Sequence, residues 1–234
     1  MPNHLVASVD TSDSLKRYFP AEITPPDYLI GRSMITLKAE RVPVECVVRG
    51  YLSGSAWTEY KEAGTISGMH APKGLQESQQ LPEPLFTPTT KAEAGHDEPL
   101  SKKELEDLVG KTTARDLEEK SLAVYQYGRD YARGRGIIIA DTKFEFGFAD
   151  GKLILIDESL TPDSSRFWDA AQYTVGRSQP NFDKQPVRDW LEASGWNKEP
   201  PAPMLPPEII EATTSRYVEA YKRLTGRTLQ DVSS

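Results

Sequence analysis

The chain of 234 residues is 38% hydrophobic and 27% charged, with a net charge of −7 and a pI near 5.2. These values are typical of a globular protein with a real core, and the acidic balance argues against charge-driven binding of nucleic acid or an anionic membrane. There is no apolar run of the roughly 18 residues that span a membrane and no signal-peptide pattern, and the single cysteine, Cys46, excludes an internal disulfide. We therefore expect a soluble protein of the cytoplasm.

The first half of the chain contains a β-rich segment and then a polar, proline-rich one. Met34–Leu52 alternates and is rich in β-branched residues, which predicts two strands that meet near Arg41–Pro43. Gly74–Pro99 has neither helical nor strand periodicity, so it predicts a long loop, of the kind that is often functional and that its prolines and Phe86 help to order.

The helices are expected in the second half. Ser101 and Glu104 form a capping-box pattern, and the helical repeat of apolar residues that follows should end near Gly134–Gly136. A short helix is expected around Val187–Ala193, and Pro207 suits the first turn of a last helix. Strands and helices segregated in this way predict an α+β fold.

A predicted hairpin between these helices carries charges where a core strand should be apolar. In Ala140–Phe148, alternation places Asp141, Lys143 and Glu145 on one face and the phenylalanines on the other. Because unpaired buried charges are too costly, the charged face should line water or a ligand. The partner strand carries Asp157.

The register of this hairpin decides whether Asp157 joins the charged face. A two-residue Asp150-Gly151 turn would place it on the wrong face, whereas a three-residue loop that begins at Ala149 pairs Lys143 with Asp157 and leaves Glu145 diagonal to it. We favour the three-residue loop. Glu145 and Asp157 could then share one Mg²⁺. The pattern alone equally allows a surface ladder of salt bridges.

Five long strings resemble, in order, a known enzyme family, the phosphoribosylaminoimidazole-succinocarboxamide synthases or SAICAR synthetases, in their longer form. They cover most of Met34 to Leu191. They are VPVECVVRGYLSGSAW (Val42–Trp57), FTPTTKAEAGHDE (Phe86–Glu98), GIIIADTKFEFG (Gly136–Gly147), LIDESLTPDSSRFWD (Leu155–Asp169) and FDKQPVRDWL (Phe182–Leu191).

The resemblance implies a kinase-like or ATP-grasp-like antiparallel sheet with packed helices. It also implies a reaction in which ATP, L-aspartate and the carboxylate of carboxyaminoimidazole ribotide (CAIR) give SAICAR, ADP and phosphate, through an acyl phosphate. Such chemistry depends on Mg²⁺ and cations that hold charge in place. No nucleic-acid or membrane partner is implied, and monomer or homodimer stays open.

The resemblance also assigns residues to roles. Glu145 and Asp157 match metal-binding acids, and the backbone of Leu37, Lys38 and Glu40 matches the segment that contacts adenine. The catalytic candidates are Lys143, Asp141 and Asp163. The substrate-binding candidates are Arg49, Ser55, Lys91, His96, Asp97, Arg166, Lys184 and Arg188.

Several of these residues have simpler interpretations. Arg49 could pair with Glu45 or another acid, and Ser55 could merely shape the turn at Gly54. Lys184 and Arg188, four residues apart, could form a solvated helix face. His96 and Asp97 could hydrogen-bond within their loop, while Trp57, Trp168 and Cys46 are more typical of a core.

One element of the family is missing from this sequence. Relatives carry an N-terminal lobe with a glycine-rich turn over the ATP phosphates, so we interpret residues 1–41 as a remnant of that lobe with the hinge, and 42–234 as the catalytic domain that binds ATP and CAIR. We expect residues 1–234 alone to have little synthetase activity. The alternatives are another kinase-like phosphotransferase and an inactive fragment that binds ribotide or nucleotide.

Overall fold

The computed structural model describes residues 1–91, 97–197 and 199–229. It confirms the α+β class, with antiparallel strands and separate helices. The helices are α1 (Ser12–Lys16), α2 (Gly54–Ala63), α3 (Lys102–Val109), α4 (Lys111–Arg133), α5 (Gln185–Ala193) and α6 (Pro207–Thr225). The strands are β1 (Leu5–Ser8), β2 (Met34–Thr36), β3 (Glu40–Arg41), β4 (Val44–Tyr51), β5 (Thr65–Ile66), β6 (Met69–His70), β7 (Gln80–Phe86), β8 (Thr89–Thr90), β9 (Ile137–Ala149), β10 (Lys152–Asp157) and β11 (Ser165–Asp169).

The 13-residue strand β9 organises the main sheet, whose order is β10-β9-β4-β7. Along one edge β9 pairs antiparallel with β4 and then β3, and along the other with β11 and then β10. A strand with neighbours on both edges has its backbone donors and acceptors bonded, so its side chains are held in fixed positions.

The long helix α4 covers one face of this sheet. Its buried residues Leu117 and Tyr125 belong to the same apolar cluster as Phe144 and Phe146 of β9. The Tyr125 hydroxyl donates to the Ile139 carbonyl at 2.8 Å, which ties the helix to β9. The predicted phenylalanine face is therefore the core face, and the charged residues of β9 lie on the other side.

The predicted helix signals are confirmed. Ser101 and Glu104 form a reciprocal capping box at the start of α3, α4 ends at Arg133, and α6 begins at Pro207. None of the described helices is long and apolar enough to cross a membrane.

The prediction of a structureless loop over Gly74–Pro99 is wrong in part, because β7 and β8 lie within it. Pro82 and Pro84 hid the strand from a periodicity argument. They are tolerated because β7 is the last strand of the sheet order, where a missing backbone donor breaks no interior ladder.

The favoured register of the β9–β10 hairpin is also wrong. Lys152 pairs with Ala149, so the turn has two residues, Asp150 and Gly151, both with positive φ. The ladder then shifts by one residue between Leu155 and Asp157, and this bulge places Asp157 directly opposite Glu145. The two carboxylates therefore share a face as expected, but because of the bulge and not because of a three-residue loop.

The N-terminal segment lies against β10, near the end of the hairpin that is opposite the turn. The backbone of His4 donates to the Leu155 carbonyl, and β1 pairs with β2. The predicted hinge leads into β3, where Glu40 pairs with Phe148. Leu37–Glu40 therefore lies near the end of β9 that carries Glu145.

Candidate active site

The polar face of β9 carries two groups of charged side chains, one around Asp141 and the other around Glu145. Both carboxylates are buried, at 5% and 8% exposure, which requires charged or hydrogen-bonded partners. The strand pairing supplies those partners, because β4 places Arg49 opposite Asp141 and Val47 opposite Lys143.

At the first group, which we call the arginine end, two guanidinium groups converge on Asp141. Arg166 Nη1 donates to Asp141 Oδ2, and Arg49 Nη1 lies 3.6 Å from the same oxygen. Burial lowers the pKa of Arg49, although the Asp141 carboxylate acts to raise it. The arginine end thus has one more positive than negative charge, and Asp141 holds both guanidinium groups in place.

The start of α2 completes the arginine end. Arg49 Nη2 donates to Ser55 Oγ at 3.3 Å, and its Nε donates to Thr87 Oγ1 at 3.0 Å. Gly54 has a φ of +56°, and a Cβ there would lie 2.3 Å from Arg166 Nη2. Only glycine allows this turn and this close approach together. The start of α2 has no side-chain cap hydrogen bond and lines a cavity together with Arg166, and the positive end of a helix favours an anion.

The second group, which we call the carboxylate end, consists of Glu45, Glu145, Asp157 and Glu158 with two lysines. Lys91 Nζ lies 2.6 Å from both Glu45 Oε1 and Glu145 Oε1. Lys143 Nζ lies 3.1 Å from Glu45 Oε1 and 3.3 Å from Glu158 Oε1. Three carboxylates therefore contact two ammonium groups, and Asp157 lies opposite Glu145 in the strand register, which leaves an excess of negative charge.

The pKa values of the two lysines follow from these contacts. Burial alone would lower the pKa of Lys91, but hydrogen bonds to Glu145 and Glu45 raise it above its ordinary value. The pKa of Lys143 is also raised, because Glu45 and Glu158 outweigh the effect of burial. Both side chains are therefore cationic at neutral pH.

The carboxylate end fits a divalent cation that is only partly coordinated by protein. The described residues contain no group of three or more His, Cys, Asp or Glu side chains that could hold a metal by themselves. Mg²⁺ commonly uses one or two carboxylates and takes its remaining oxygens from water and phosphate. Thr89, directly opposite Glu45, has a buried hydroxyl with no partner among the described residues, as expected beside a ligand site.

A third set of polar residues lies beside the arginine end. Lys184 Nζ and the Tyr217 hydroxyl each lie 2.8 Å from Asp163 Oδ1. Both hydrogen bonds lower the pKa of Asp163, and the one from Lys184 has the larger effect. Arg188 Nη1 lies 2.7 Å from the buried carboxylate of Asp183, so Arg188 is held from within the fold.

Two cavities meet at these residues. One, of about 260 Å³, lies over Asp141, Lys143 and Asp163, and the other, of about 450 Å³, lies over the start of α2. Arg166 and Arg188 line both cavities. The arrangement therefore offers two neighbouring polar cavities with fixed cations between them, which can bind an anionic substrate and stabilise charge that develops on it.

Comparison with known proteins identifies the family. The SAICAR synthetase family model matches residues 1–203. The chain is 51% identical over 228 residues to the phosphoribosylaminoimidazole-succinocarboxamide synthase of Maridesulfovibrio salexigens, covering 96% of this chain and 74% of that protein. The chain belongs to the SAICAR synthetase family.

Solved structures of SAICAR synthetases are similar to this chain in fold. The SAICAR synthase of Saccharomyces cerevisiae in complex with SAICAR has a TM-score of 0.86 at 44% identity and covers 97% of this chain and 76% of its own. A type-2 SAICAR synthetase in complex with ADP has a TM-score of 0.65 at 25% identity, covering 97% and 73%. The family consists of ATP-dependent ligases of purine biosynthesis, so the chain is an enzyme of that class.

The structure brings most of the predicted SAICAR synthetase residues together. Arg49, Ser55 and Arg166 meet at the arginine end, and Lys91, Lys143, Glu145 and Asp157 at the carboxylate end. Lys184 is the N-cap residue of α5, and its exposed ammonium group is paired with the exposed carboxylate of Asp163. His96 lies outside the described residues, Asp97 is exposed, and the roles of both stay predictions.

Some simpler interpretations hold. Trp168 is buried in an apolar cluster with Tyr51, and burial raises the pKa of the Cys46 thiol to about 12, so both are core residues. Trp57 packs beside Tyr60 but also lines the larger cavity. Arg49 is paired with Asp141 and not with Glu45.

Sequence reasoning missed several residues of the site. Glu45 was considered only as a partner for Arg49, although its position on a strand that pairs with the charged strand was a usable signal. The others are Thr87, Asp183, Tyr217 and Glu158, whose contacts come from segments distant in sequence and carry no local pattern.

Proposed function

We propose that the polar face of β9 carries out the ATP-dependent joining of L-aspartate to the carboxylate of CAIR. In this reaction a CAIR carboxylate oxygen takes the γ-phosphoryl group of ATP, which releases ADP. The aspartate amine then attacks the carbonyl carbon, the C–O bond to phosphate breaks, and the amine loses a proton as SAICAR forms. Because this step belongs to purine biosynthesis, we also propose a cytoplasmic location.

The carboxylate end is assigned to the nucleotide. Its excess negative charge supports a Mg²⁺ site at Glu145 and Asp157, and Mg²⁺ when bound would neutralise phosphate charge. Lys91 and Lys143 are cations on the same surface and would hold the transferring phosphoryl group and the reacting carboxylate. The position of Leu37, Lys38 and Glu40 beside this end supports adenine binding there.

The arginine end is assigned to the ribotide. Arg49, Arg166 and Ser55, with the first turn of α2, offer guanidinium, hydroxyl and backbone donors suited to phosphate. Lys184 and Arg188 extend this surface toward α5 and support further CAIR contacts. Asp141 positions the two arginines, and Asp163 holds Lys184 at the cavity wall.

The observation that carries the proposal is the presence of an anion-binding end and a cation-binding end on one strand face. A coupled ADP-release assay tests it with ATP, Mg²⁺, CAIR and L-aspartate. ADP release should depend on CAIR, and it should continue over many turnovers only when L-aspartate is also present. ADP release that does not depend on CAIR would contradict the assignment and favour another phosphotransferase.

A further inference from the structure

Glu45 is a buried carboxylate at the centre of the carboxylate end. It is 5% exposed and lies on β4. Glu45 precedes Cys46, which pairs with Phe144 in the antiparallel register of β4 and β9. Its carboxylate and that of Glu145 both lie 2.6 Å from Lys91 Nζ, so the two carboxylates are close together.

Two carboxylates that lie close together in a buried position repel, so this arrangement needs cations. Both cations use the same Glu45 atom: Lys91 Nζ is 2.6 Å and Lys143 Nζ is 3.1 Å from Oε1. In the described residues Glu45 is the one carboxylate in contact with both lysines.

The other carboxylates are less suited to hold the lysines during the reaction. Glu145, which also contacts Lys91, is the proposed metal ligand, and its oxygens would be shared with Mg²⁺. Glu158 contacts Lys143 only, from a side chain that is 24% exposed. Glu45, the most buried of the three, is free to keep both ammonium groups in place.

We propose that Glu45 is a positioning residue that fixes Lys91 and Lys143 so that both ammonium groups face the phosphoryl group and the reacting carboxylate. This inference rests on the proposed function for the identity of the ligands. The placement of the lysines can be tested without turnover.

Chemical labelling measures that placement. Folded protein is treated with a limiting amount of acetic anhydride, and acetylation of each lysine is followed by mass spectrometry. In Glu45→Gln both Lys91 and Lys143 should be acetylated several-fold faster than in the wild type. In Glu158→Gln only Lys143 should be faster. Glu59→Gln, which removes a carboxylate bonded to Gly68 and Thr65 far from the lysines, should change neither.

Protection by nucleotide tests whether the two lysines face the proposed nucleotide site. ATP with Mg²⁺ should slow acetylation of both lysines in the wild type, and the protection should be at least a fewfold smaller in Glu45→Gln. Melting temperatures verify that each variant is folded. If Glu45→Gln does not fold, Glu45→Asp replaces it, because its shorter carboxylate should loosen both lysines in the same pattern.

Three results would overturn the proposal: unchanged acetylation in folded Glu45→Gln, no protection of the wild-type lysines by ATP, or a higher Mg²⁺ requirement in Glu45→Gln with unchanged acetylation. The last would make Glu45 a metal ligand. In turnover, Glu45→Gln should lower kcat about 10- to 100-fold with a smaller change in KM for ATP. If the wild type releases ADP without CAIR while the labelling pattern holds, the proposed reaction fails but the positioning role stands.

Discussion

The arginine end and the carboxylate end lie on the same face of β9 but are built in opposite ways. At the arginine end two guanidinium groups share the one carboxylate of Asp141, so positive charge is in excess. At the carboxylate end three acids contact Lys91 and Lys143 and Asp157 lies opposite one of them, so negative charge is in excess. Each end therefore attracts a group of the opposite sign, which in the proposed reaction is the anionic ribotide at the arginine end and the divalent cation of the nucleotide at the carboxylate end.

The spacing of the two ends comes from the strand itself. Asp141 and Glu145 are four residues apart, which corresponds to about 13 Å along an extended strand. Lys143 lies between them and shares their face. A single strand can thus hold two ligands apart and place a cation where their reacting groups meet.

The largest expected effect comes from removing the charge of Glu145. Glu145→Gln should weaken Mg²⁺-dependent ADP binding about 100-fold or more, because the proposed metal loses a carboxylate. Isothermal titration calorimetry measures this affinity with and without Mg²⁺. Asp150→Asn, at the exposed turn of the same hairpin, is the matched control and should bind normally. Equal Mg²⁺-dependent affinity for ADP in Glu145→Gln and the wild type would contradict the assignment of the metal to the carboxylate end.

The next effect is at the arginine end. Arg166→Lys keeps the positive charge but loses the guanidinium group that contacts Asp141 and lines both cavities. CAIR should therefore bind about 10- to 100-fold more weakly. ADP affinity should change little. A variant that lost both ligands to the same extent would show that the two ends act as one site.

A smaller effect is expected from the glycine that admits Arg166. Gly54→Ala places a methyl group against that guanidinium at a positive φ, and should weaken CAIR binding about tenfold and stability by about 1–2 kcal/mol. Gly64, at the other end of α2, has a φ of +72° with nothing nearby. Gly64→Ala should lose similar stability and keep CAIR affinity. Equal CAIR losses in both variants would mean that backbone strain alone is responsible.

The smallest effect concerns Glu59, a carboxylate that serves structure. Burial alone would raise its pKa, but hydrogen bonds from Gly68, Thr65 and Ser67 hold that pKa below its ordinary value. A lowered folded-state pKa stabilises the protein above the ordinary glutamate pKa, and this stabilisation is lost as pH falls through the folded value.

The Glu59→Gln variant tests this assignment. It should melt about 2–4 °C below the wild type at neutral pH, with a gap that shrinks in acid. Melting curves from pH 7 to pH 3 measure the gap. A gap that stays constant with pH would contradict a role for the ionised form.

The sequence predicted the local features of this fold well. The capping box of α3, the proline at the start of α6 and the two faces of β9 follow from short-range rules, and all are observed. The α+β class also follows, whereas Glu145 and Asp157 come together through a bulge and not through the predicted register. The family resemblance, not the periodicity, indicated which ligands the polar face would bind.

The features that were missed depend on contacts between distant segments. Alternation cannot reveal the one-residue bulge before Asp157, since a bulge changes the pairing without changing the residues. The strand β7 was hidden by prolines that only an edge position tolerates. Glu45 becomes meaningful only when β4 is paired with β9 and the loop with Lys91 returns to it.

The most direct test of the two-ended site is to locate the metal. Crystals grown with ADP and Mn²⁺, which prefers the same hard oxygen ligands as Mg²⁺, reveal the ion by its anomalous scattering. We predict that the strongest peak lies between the carboxylates of Glu145 and Asp157, with no peak beside Asp141. A metal peak at the arginine end, or none near Glu145 when ADP is bound, would contradict the account.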